Sequence, residues 1–519
     1  MIYNVSDEWK DIQQRFLLPE GHIEITSAIT DVGAQDSATA SGAYEAFFSN
    51  VNRVLGLDNK SSPQLHATNE LNLWALDGSR RIFPDYAMSD SEGYASDISE
   101  SGSVTLTLPA VRSAPIPGVT ITWGSEYEEQ PPVFTVTAKN GNTVVAELTV
   151  TGNTEQICTV DLEISNYDSV TVTVHNWCLP YRRARIEKVF LGHILTFTKK
   201  DIFSFTHEQR GDVLSAELPK NSIEFSLNNV DGRWNPNKYD GIGKYLSERQ
   251  KLTVRYGFDI NGTIEWIKAG TFYLSEWRTP ENGIEASFVA RDIFEYFINE
   301  PYRGSSYDTT LGDIVSEVLN SDWLPSDFSY IVPWGALEQS CKLEEKEYTC
   351  AEVLQLCANA ARLAMYQNRD GTLVFHNYPE NDPLQPDYLI PLSLSYSHPE
   401  IVLSKPLKAV SVGFTYDYGD KDTFVLNVGN SGATQTADNP LLQGYDNAEL
   451  YAEWIRDNLI SRKTISGEYR ADPRLDVFDL VVAESKYGDF PCVIITSIKY
   501  IFNGSFRGTY EGRALEGYF

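Results

Sequence analysis

Histidines are frequent acids, bases and metal ligands in proteins, and in this sequence they are scattered along the chain. The pair His207-Glu208 lacks the second histidine, four residues later, that a HExxH zinc site requires. The 72 carboxylates are too numerous for spacing alone to single out an acid–base pair. The full set of histidines is His22, His66, His175, His193, His207, His376 and His398. We therefore predict no catalytic residue, no metal site and no cofactor.

The cysteines form no CxxC pair, and only Cys178 has a histidine nearby, at His175. We expect reduced and mostly buried thiols. A Cys158–Cys178 disulfide within one β-rich segment is the alternative. The six cysteines are Cys158, Cys178, Cys341, Cys350, Cys357 and Cys492.

Two segments rich in glycine or aspartate are candidates for ligand sites. The run Gly241-Ile242-Gly243-Lys244 lacks the spacing of a P-loop. Asp231 lies in the turn Asn229–Pro236, where its oxygens either bind Ca²⁺ or form an Asx turn. The spacing of an EF-hand is absent, which favours the Asx turn.

Aromatic residues next to loops are candidates for stacking on sugar rings. Trp123 is followed by the turn-forming residues Gly124 and Ser125, so it lies either in a core or at a strand end beside a loop. We expect carbohydrate contact, if the chain makes any, at Trp123, Tyr127 and Trp177.

The elements that would position these residues belong to a chain of 519 residues, long enough for three or four domains. With 42 Lys and Arg against 72 Asp and Glu, the net charge is −30, which argues against nucleic-acid and anionic-lipid surfaces. The segment from Met1 to Phe16 is polar and charged, and no apolar run is long enough to span a membrane. We expect no signal peptide, no membrane span, and synthesis in a cytoplasm.

The sequence predicts β-strands over most of segment 1–305. Within 61–180, short alternating runs separated by turn residues predict a β-sandwich. These runs are Val104–Leu108, Val119–Trp123, Val133–Ala138, Thr143–Thr151, Cys158–Ile164 and Val170–His175, with a hairpin turn at Asn140-Gly141-Asn142. Segment 181–305 is again β-rich, and the small residues Gly33–Ala43 predict a loop.

Helices are predicted only within segment 306–519. Thr310 with Asp313 and Thr349 with Glu352 have the spacing of helix N-terminal caps before apolar faces. Asp446 with Glu449 predicts the start of a third helix. Four strands are expected to follow it: Gly467–Ala471, Val477–Ala483, Cys492–Ile501 and Ser505–Arg513.

Two segments resemble the tail hub proteins of bacteriophages and prophages. The first is Ser222–Leu227 followed by Asn229–Pro236, and the second is Asp472–Val481 followed by Ile498–Arg513. The resemblance covers about 181–519. It implies two tail-tube-like β-barrel domains in each chain, with three chains forming a ring that joins the six-fold tail tube to a three-fold tip.

Segment 61–180 resembles a galactose-binding-like jelly roll of the discoidin type, through His66–Gly78 and Leu179–Ile186. The resulting fold class is mainly β with an α+β insert. The expected domains are a first barrel formed by 1–60 and 181–305, the inserted sandwich at 61–180, a small α+β domain at 306–395, and a second barrel with one helix at 396–519.

These resemblances imply a structural, non-enzymatic part of a virion tail tip. Its expected partners are further copies of the chain, most simply a trimer, with tail tube and distal tail proteins on one side and a tip, spike or tape-measure protein on the other. The ring would form part of a DNA channel, and the sandwich would contact host cell-wall carbohydrate. The alternatives are a hexameric distal tail protein, a stand-alone carbohydrate-binding adsorption protein, and a tail-associated wall hydrolase.

Overall fold

A computed structural model describes residues 3–15, 20–42, 102–123, 130–175, 186–215, 217–281, 283–304, 309–343, 346–377, 388–416, 419–487 and 491–515. The described chain is mainly β, which confirms the predicted class. Its α-helices are α1 (Asp7–Gln14), α2 (Val32–Ser37), α3 (Phe294–Phe297), α4 (Leu311–Leu319), α5 (Cys350–Ala360) and α6 (Tyr445–Leu459).

The strands carry the numbers β1 to β29 in chain order. Those up to Thr198 are β1 (Gly21–Thr30), β2 (Thr39–Gly42), β3 (Gly102–Arg112), β4 (Ile116–Trp123), β5 (Val133–Asn140), β6 (Thr143–Thr151), β7 (Ile157–Ile164), β8 (Tyr167–Val174), β9 (Ile186–Phe190) and β10 (Gly192–Thr198). Those from Ile202 to Cys341 are β11 (Ile202–Arg210), β12 (Lys220–Asn228), β13 (Lys251–Ile260), β14 (Thr263–Arg278), β15 (Glu285–Arg291), β16 (Thr309–Thr310), β17 (Tyr330–Ile331) and β18 (Ser340–Cys341). The remaining strands are β19 (Leu363–Gln367), β20 (Leu373–Asn377), β21 (Tyr388–Ile390), β22 (Glu400–Leu403), β23 (Leu407–Thr415), β24 (Lys421–Asn427), β25 (Ala433–Gln443), β26 (Lys463–Tyr469), β27 (Leu480–Ala483), β28 (Cys492–Phe502) and β29 (Phe506–Ala514).

The chain divides into two compact units. One consists of Met1–Thr26, Phe197–Val230 and Lys251–Phe519, and the other of Ser27–Thr196 and Asp231–Gln250. The second unit therefore starts before the predicted insert 61–180, extends beyond it, and includes a later loop. Most of 61–101, including His66–Gly78, lies outside the described residues, as does 179–185. The domain division given above remains a prediction.

A sheet of 13 strands dominates the described chain, in the order β10-β1-β13-β14-β15-β12-β11-β28-β29-β26-β22, with β27 beside β28 and β21 beside β27. Side chains alternate between the two faces, since successive residues of a strand point in opposite directions. In β29 the pattern is strict, with Phe506, Gly508, Tyr510 and Gly512 buried and the residues between them exposed. This alternation is why the sequence forms strands here.

The predicted first and second β blocks meet inside this sheet. β11 pairs antiparallel with β12 on one side and with β28 on the other, so that Phe205 lies opposite both Phe225 and Phe502. Strands from the two blocks are therefore continuous in one sheet. Among the described strands, three have a single neighbour in this sheet: β10, β21 and β22.

The helices α3, α4, α5 and α6 pack in one apolar core of the first unit. Both predicted capping boxes are present, with the Thr310 and Thr349 hydroxyls accepting from the backbone N–H of Asp313 and Glu352. α6 confirms the third predicted helix, which begins one residue before Asp446. Gly444 precedes the helix at a φ of +85° with no side-chain cap, and Asp446 lies in the first turn. Glycine supplies a backbone conformation that an aspartate cap would adopt only with strain.

The second unit contains the β-sandwich strands. Sheet β2-β3-β8-β5-β6 and sheet β7-β4-β9 enclose a shared apolar core. The β5–β6 hairpin turns at Gly141, as predicted. The prediction of a loop at Gly33–Ala43 is wrong for its described part, because the Asp31 side chain caps α2 by accepting from Ala34 N–H. No helix within the described ranges is long and apolar enough to cross a membrane.

Candidate functional site

The cysteines are free thiols where the structure describes them, and most of them are buried. Burial raises the pKa of the Cys341 thiol to about 12 and that of Cys350 to about 11. A raised pKa keeps a thiol protonated and weakly nucleophilic. Cys158, Cys341, Cys350, Cys357 and Cys492 are free thiols, and Cys178 lies outside the described residues. Within the described ranges, no group of three or more His, Cys, Asp or Glu side chains is arranged to hold a metal.

The carbohydrate prediction fails at Trp123. Its indole ring is fully buried and packs edge-on against Phe134, with ring centroids 5.0 Å apart. The ring fills the core of the sandwich because the alternation of β4 points it inward, so it offers no face to a sugar. Tyr127 and Trp177 lie outside the described residues, and their role remains a prediction.

The turn around Asp231 forms the predicted Asx turn. The Asp231 carboxylate accepts from Arg233 N–H at 3.1 Å. Later in this loop, Gly243 N–H donates to the Arg233 carbonyl at 3.0 Å, and a Cβ on Gly243 would lie 2.1 Å from the Trp234 carbonyl oxygen. Glycine is therefore required at 243 for close backbone packing, and not for a phosphate site.

The hub-like segment Asp472–Val481 forms a buried ionic cluster. Asp476 accepts from Arg369 through both carboxylate oxygens, one of these hydrogen bonds being 2.9 Å long. Arg369 also donates to the carbonyl oxygens of Lys268 at 2.9 Å and of Leu475 at 3.1 Å. Burial opposes the charge of Arg369, but the Asp476 carboxylate outweighs that effect, and the pKa of the guanidinium lies above its ordinary value.

The same cluster continues into the large sheet. Gln209 on β11 donates to Asp476 at 2.8 Å and accepts from Val477 N–H at 3.1 Å. His207 Nε2 lies 2.8 Å from Asn221 Oδ1, which can only accept, so His207 Nδ1 accepts from the Tyr256 hydroxyl at 2.8 Å. Burial lowers the pKa of His207 to about 4, and the imidazole is neutral at physiological pH.

Two further contacts fix the backbone of this segment. Asp472, which is fully buried, accepts from the Arg474 guanidinium at 2.9 Å. The Tyr500 hydroxyl on β28 lies 2.7 Å from the Leu475 carbonyl oxygen, to which it donates. We name the set His207, Gln209, Arg369, Asp472, Arg474, Asp476 and Tyr500 the ionic clamp. It connects β11, β28 and the turn after β19 in a single hydrogen-bonded network. The His207 ring nitrogens are paired with Tyr256 and Asn221, which lie next to this set.

The opposite arrangement is found at the end of the large sheet. All four residues of β22 are exposed, and the exposed fractions of Ile401, Val402 and Leu403 are 51%, 53% and 62%. In the described chain, β22 pairs only with β26. Three neighbouring apolar side chains on an open strand edge form a ready-made surface for pairing with another chain.

Sequence reasoning missed both Arg369 and β22. Arg369 lies in the turn Asn368–Gly371 and is part of no recognisable sequence motif. Only the fold brings it to Asp476, which lies 107 positions later in the chain. The signal for β22 was available, since the apolar run Ile401–Leu403 is bracketed by Pro399 and Pro406. Prolines that flank a short apolar run are typical of an edge strand.

The sequence matches no protein-family model, and no curated protein matches it. Among solved structures, a tail protein from Neisseria meningitidis MC58 is similar at 11% identity and a TM-score of 0.43, over 63% of this chain and 94% of that one. The 43 kDa tail protein of prophage MuSo2 from Shewanella oneidensis is similar at 15% identity and a TM-score of 0.40, over 62% and 94%.

Prophage tail protein gp18 from Listeria monocytogenes EGD-e is similar at 12% identity and a TM-score of 0.40, over 62% of this chain and 91% of that one. These three solved neighbours are tail proteins by name, and two of them are named as prophage proteins.

Proposed function

We propose that this protein is a structural component of a phage tail tip: a trimeric hub that joins the six-fold tail tube to a three-fold tip. The observation that carries the proposal is the pairing of β11 with β28, which unites the two β blocks of one chain in a single sheet. Two such blocks side by side in each of three chains supply six blocks to a six-fold tube. The hub-like segments noted in the sequence are the ones that hold this pairing in place.

The exposed apolar edge supports an assembly role over a catalytic one. A strand such as β22 invites uncontrolled pairing unless a partner covers it. The expected partners are further copies of the chain, tail tube and distal tail proteins, and a tip, spike or tape-measure protein. The site of action is the virion tail tip, after synthesis in the host cytoplasm.

The test is the native mass of the full chain by light scattering over a range of concentrations. A trimer of about three times 58.3 kDa is expected. A hexamer would favour the distal tail ring. A monomer that stays monomeric at all concentrations would contradict the hub and favour a stand-alone adsorption protein. Peptidoglycan zymography of the same sample is expected to show no clearing, and clearing would point to a wall hydrolase.

The ring is proposed to form part of the DNA channel. The chain carries a net charge of −30, and an acidic channel wall repels the phosphate backbone, so that DNA passes without sticking. Substituting lumen-facing carboxylates, once a structure of the ring identifies them, is expected to slow DNA ejection. A lumen lined by neutral or basic residues would contradict this part of the proposal.

Carbohydrate contact by the sandwich is proposed for Tyr127 and Trp177. The full chain carrying Tyr127→Ala and Trp177→Ala is expected to lose retention on host cell walls if these rings stack on sugars. The matched control is Tyr487→Ala, which removes a ring that is 86% exposed in the other unit. Equal retention of the wild type, the double variant and the control would contradict carbohydrate binding at these two residues.

A further inference from the structure

The open edge of β22 is defined by the hydrogen bonds on its other side. Ser404 N–H donates to the Arg462 carbonyl at 2.9 Å, and the strand register continues from that pair through Val402↔Thr464. In an antiparallel ladder, hydrogen-bonded pairs alternate with pairs whose backbone groups point outward. The N–H and C=O groups of Ile401 and Leu403 therefore face away from β26, toward the open edge.

The side chains of this strand continue the buried face of the sheet. Ile401 lies opposite Ile465 on β26, and paired residues share one face of a sheet. Ile465 is 1% exposed, whereas Ile401 is 51% exposed. The apolar row of the core thus runs past the end of the sheet. A further strand at this edge would extend the row, cover Ile401 and Leu403, and pair their free backbone groups.

The charge at this edge is opposite to that of the chain. Lys405 follows β22, the Arg462 guanidinium bonds the Ser404 carbonyl at 3.0 Å, and Lys463 lies opposite Leu403. The Arg507 guanidinium lies 4.6 Å from the ring centroid of Tyr396, just before the strand. The acidic residues on β22, β26 and β29 are Glu400, Glu468 and Glu511. Basic groups thus exceed acidic ones here, in a chain with 42 basic and 72 acidic residues.

We propose that the β22 edge binds an extended strand of a second copy of this chain, apolar in sequence and flanked by carboxylates. Copies that each carry a charge of −30 repel one another, and a basic edge meeting an acidic strand provides the local attraction that assembly needs. This inference rests on the proposed function, because it names the contact through which one copy of the hub joins the next.

Two prolines limit the contact to a short strand. Pro399 and Pro406 bracket β22, and neither can donate a backbone hydrogen bond. The added strand is therefore confined to the few residues between them. This length permits one specific pairing and disfavours growth into a longer edge-to-edge sheet.

The main test replaces Leu403 by proline in the full chain. Leu403→Pro removes an N–H that faces the open edge and leaves the Ser404 hydrogen bond to β26 in place. The matched control, Leu403→Val, keeps both the N–H and the apolar character. Light scattering is expected to show assembled wild type and Leu403→Val, and monomeric Leu403→Pro. The thermal midpoints of the three chains are expected to agree when they are diluted until the wild type is monomeric.

A second variant tests the same contact independently, in case Leu403→Pro does not fold. Lys405→Glu reverses an exposed charge next to the edge and is expected to weaken association about tenfold, which corresponds to about 1.4 kcal/mol. Hydrogen exchange provides a direct readout, because the amides of Ile401 and Leu403 are expected to exchange at least tenfold more slowly in the assembly than in the monomer.

The outcomes separate this inference from the hub proposal. A trimer that survives Leu403→Pro, with unprotected Ile401 and Leu403 amides, would overturn the edge contact and leave the hub standing. An assembly of another size that Leu403→Pro dissolves would support the edge contact and contradict the trimer. Wild type that stays monomeric at every concentration would overturn both.

Discussion

The ionic clamp and the β22 edge belong to the same compact unit and reverse the usual distribution of polar and apolar groups. The clamp contains two guanidinium groups and two carboxylates, paired as Arg369–Asp476 and Arg474–Asp472. Three of these groups are buried, and the Asp476 side chain is 21% exposed. The edge places three apolar side chains in water with no strand beside them among the described residues. One region is polar, buried and satisfied, and the other is apolar, exposed and open.

The difference shows which part of the unit is complete in a single chain. A buried charge is tolerated only when it is paired and hydrogen-bonded, so the clamp must form within the chain for the unit to fold. Exposed apolar side chains cost a monomer little, but they release free energy when a partner covers them. Substitutions in the clamp should therefore affect folding, and substitutions at the edge should affect association.

Arg369→Met is expected to have the largest effect. It removes the ionic partner of Asp476, which keeps the hydrogen bond from the Gln209 amide, and one donor each from the carbonyls of Lys268 and Leu475. Removing one partner of a buried pair costs about 3–5 kcal/mol. The free energy of unfolding, measured with urea, should fall by that amount.

The control for Arg369→Met is Lys268→Met, which breaks an exposed ion pair with Asp370 in the same region. Exposed pairs contribute about 0–1 kcal/mol, so this variant should unfold nearly as the wild type does. Equal losses in the two variants would remove the distinction between buried and exposed ion pairs here.

His207→Gln tests the clamp through pH. Burial lowers the pKa of His207 from 6.5 to about 4, so the folded imidazole stays neutral while the unfolded one binds a proton. Stability is then complete above pH 6.5 and falls as pH decreases from 6.5 to 4, by about 3 kcal/mol at 1.36 kcal/mol per unit. The glutamine variant should show a shallower loss over this window in urea unfolding. A slope equal to that of wild type would mean that His207 is protonated in the folded chain.

Asp292→Asn tests a buried carboxyl outside the clamp. Asp292 is 2% exposed, its Oδ2 has no hydrogen-bond partner among the described residues, and burial raises its pKa well above 3.8. The unfolded group ionises near pH 3.8, so the folded state loses stability as pH rises above that value. The asparagine variant should be more stable than wild type at pH 7, with the difference vanishing near pH 3. A variant that is less stable at pH 7 would contradict this expectation.

Ile401→Thr should have the smallest effect on folding. The side chain is half exposed on an edge strand, and such surface substitutions change stability by about 0.5 kcal/mol or less. Thermal unfolding of dilute protein is the measurement. A loss as large as that of Arg369→Met would mean that β22 completes the fold of a single chain.

The sequence predicted well the elements whose signals are local. The caps Thr310 and Thr349 and the turn at Gly141 depend on residues within four positions of one another, and all three are confirmed. The third predicted helix is also confirmed, and it begins one residue before Asp446. The loop predicted at Gly33–Ala43 was wrong because Asp31 caps a short helix there and a strand follows it.

The candidate site was harder to predict because its contacts are distant in sequence. Arg369 and Asp476 meet only through the sheet, and the burial of Trp123 depends on Phe134 from the next strand. Alternation along β4 is compatible with either face until the partner sheet is known. The segment Asp472–Val481 resembles tail hub proteins in sequence. Its part in the ionic clamp follows only from Gln209 and Arg369, which the fold brings to Asp476.

The pairing of β11 with β28 also has a consequence for the order of events during synthesis. β11 emerges from the ribosome about 290 residues before its partner, and at about 5–20 residues per second it waits roughly 15–60 s. During that interval Phe205 and its neighbours present an incomplete sheet to the surrounding solution. A chain truncated before β28 would keep that edge unpaired, so only translation through β28 completes this sheet.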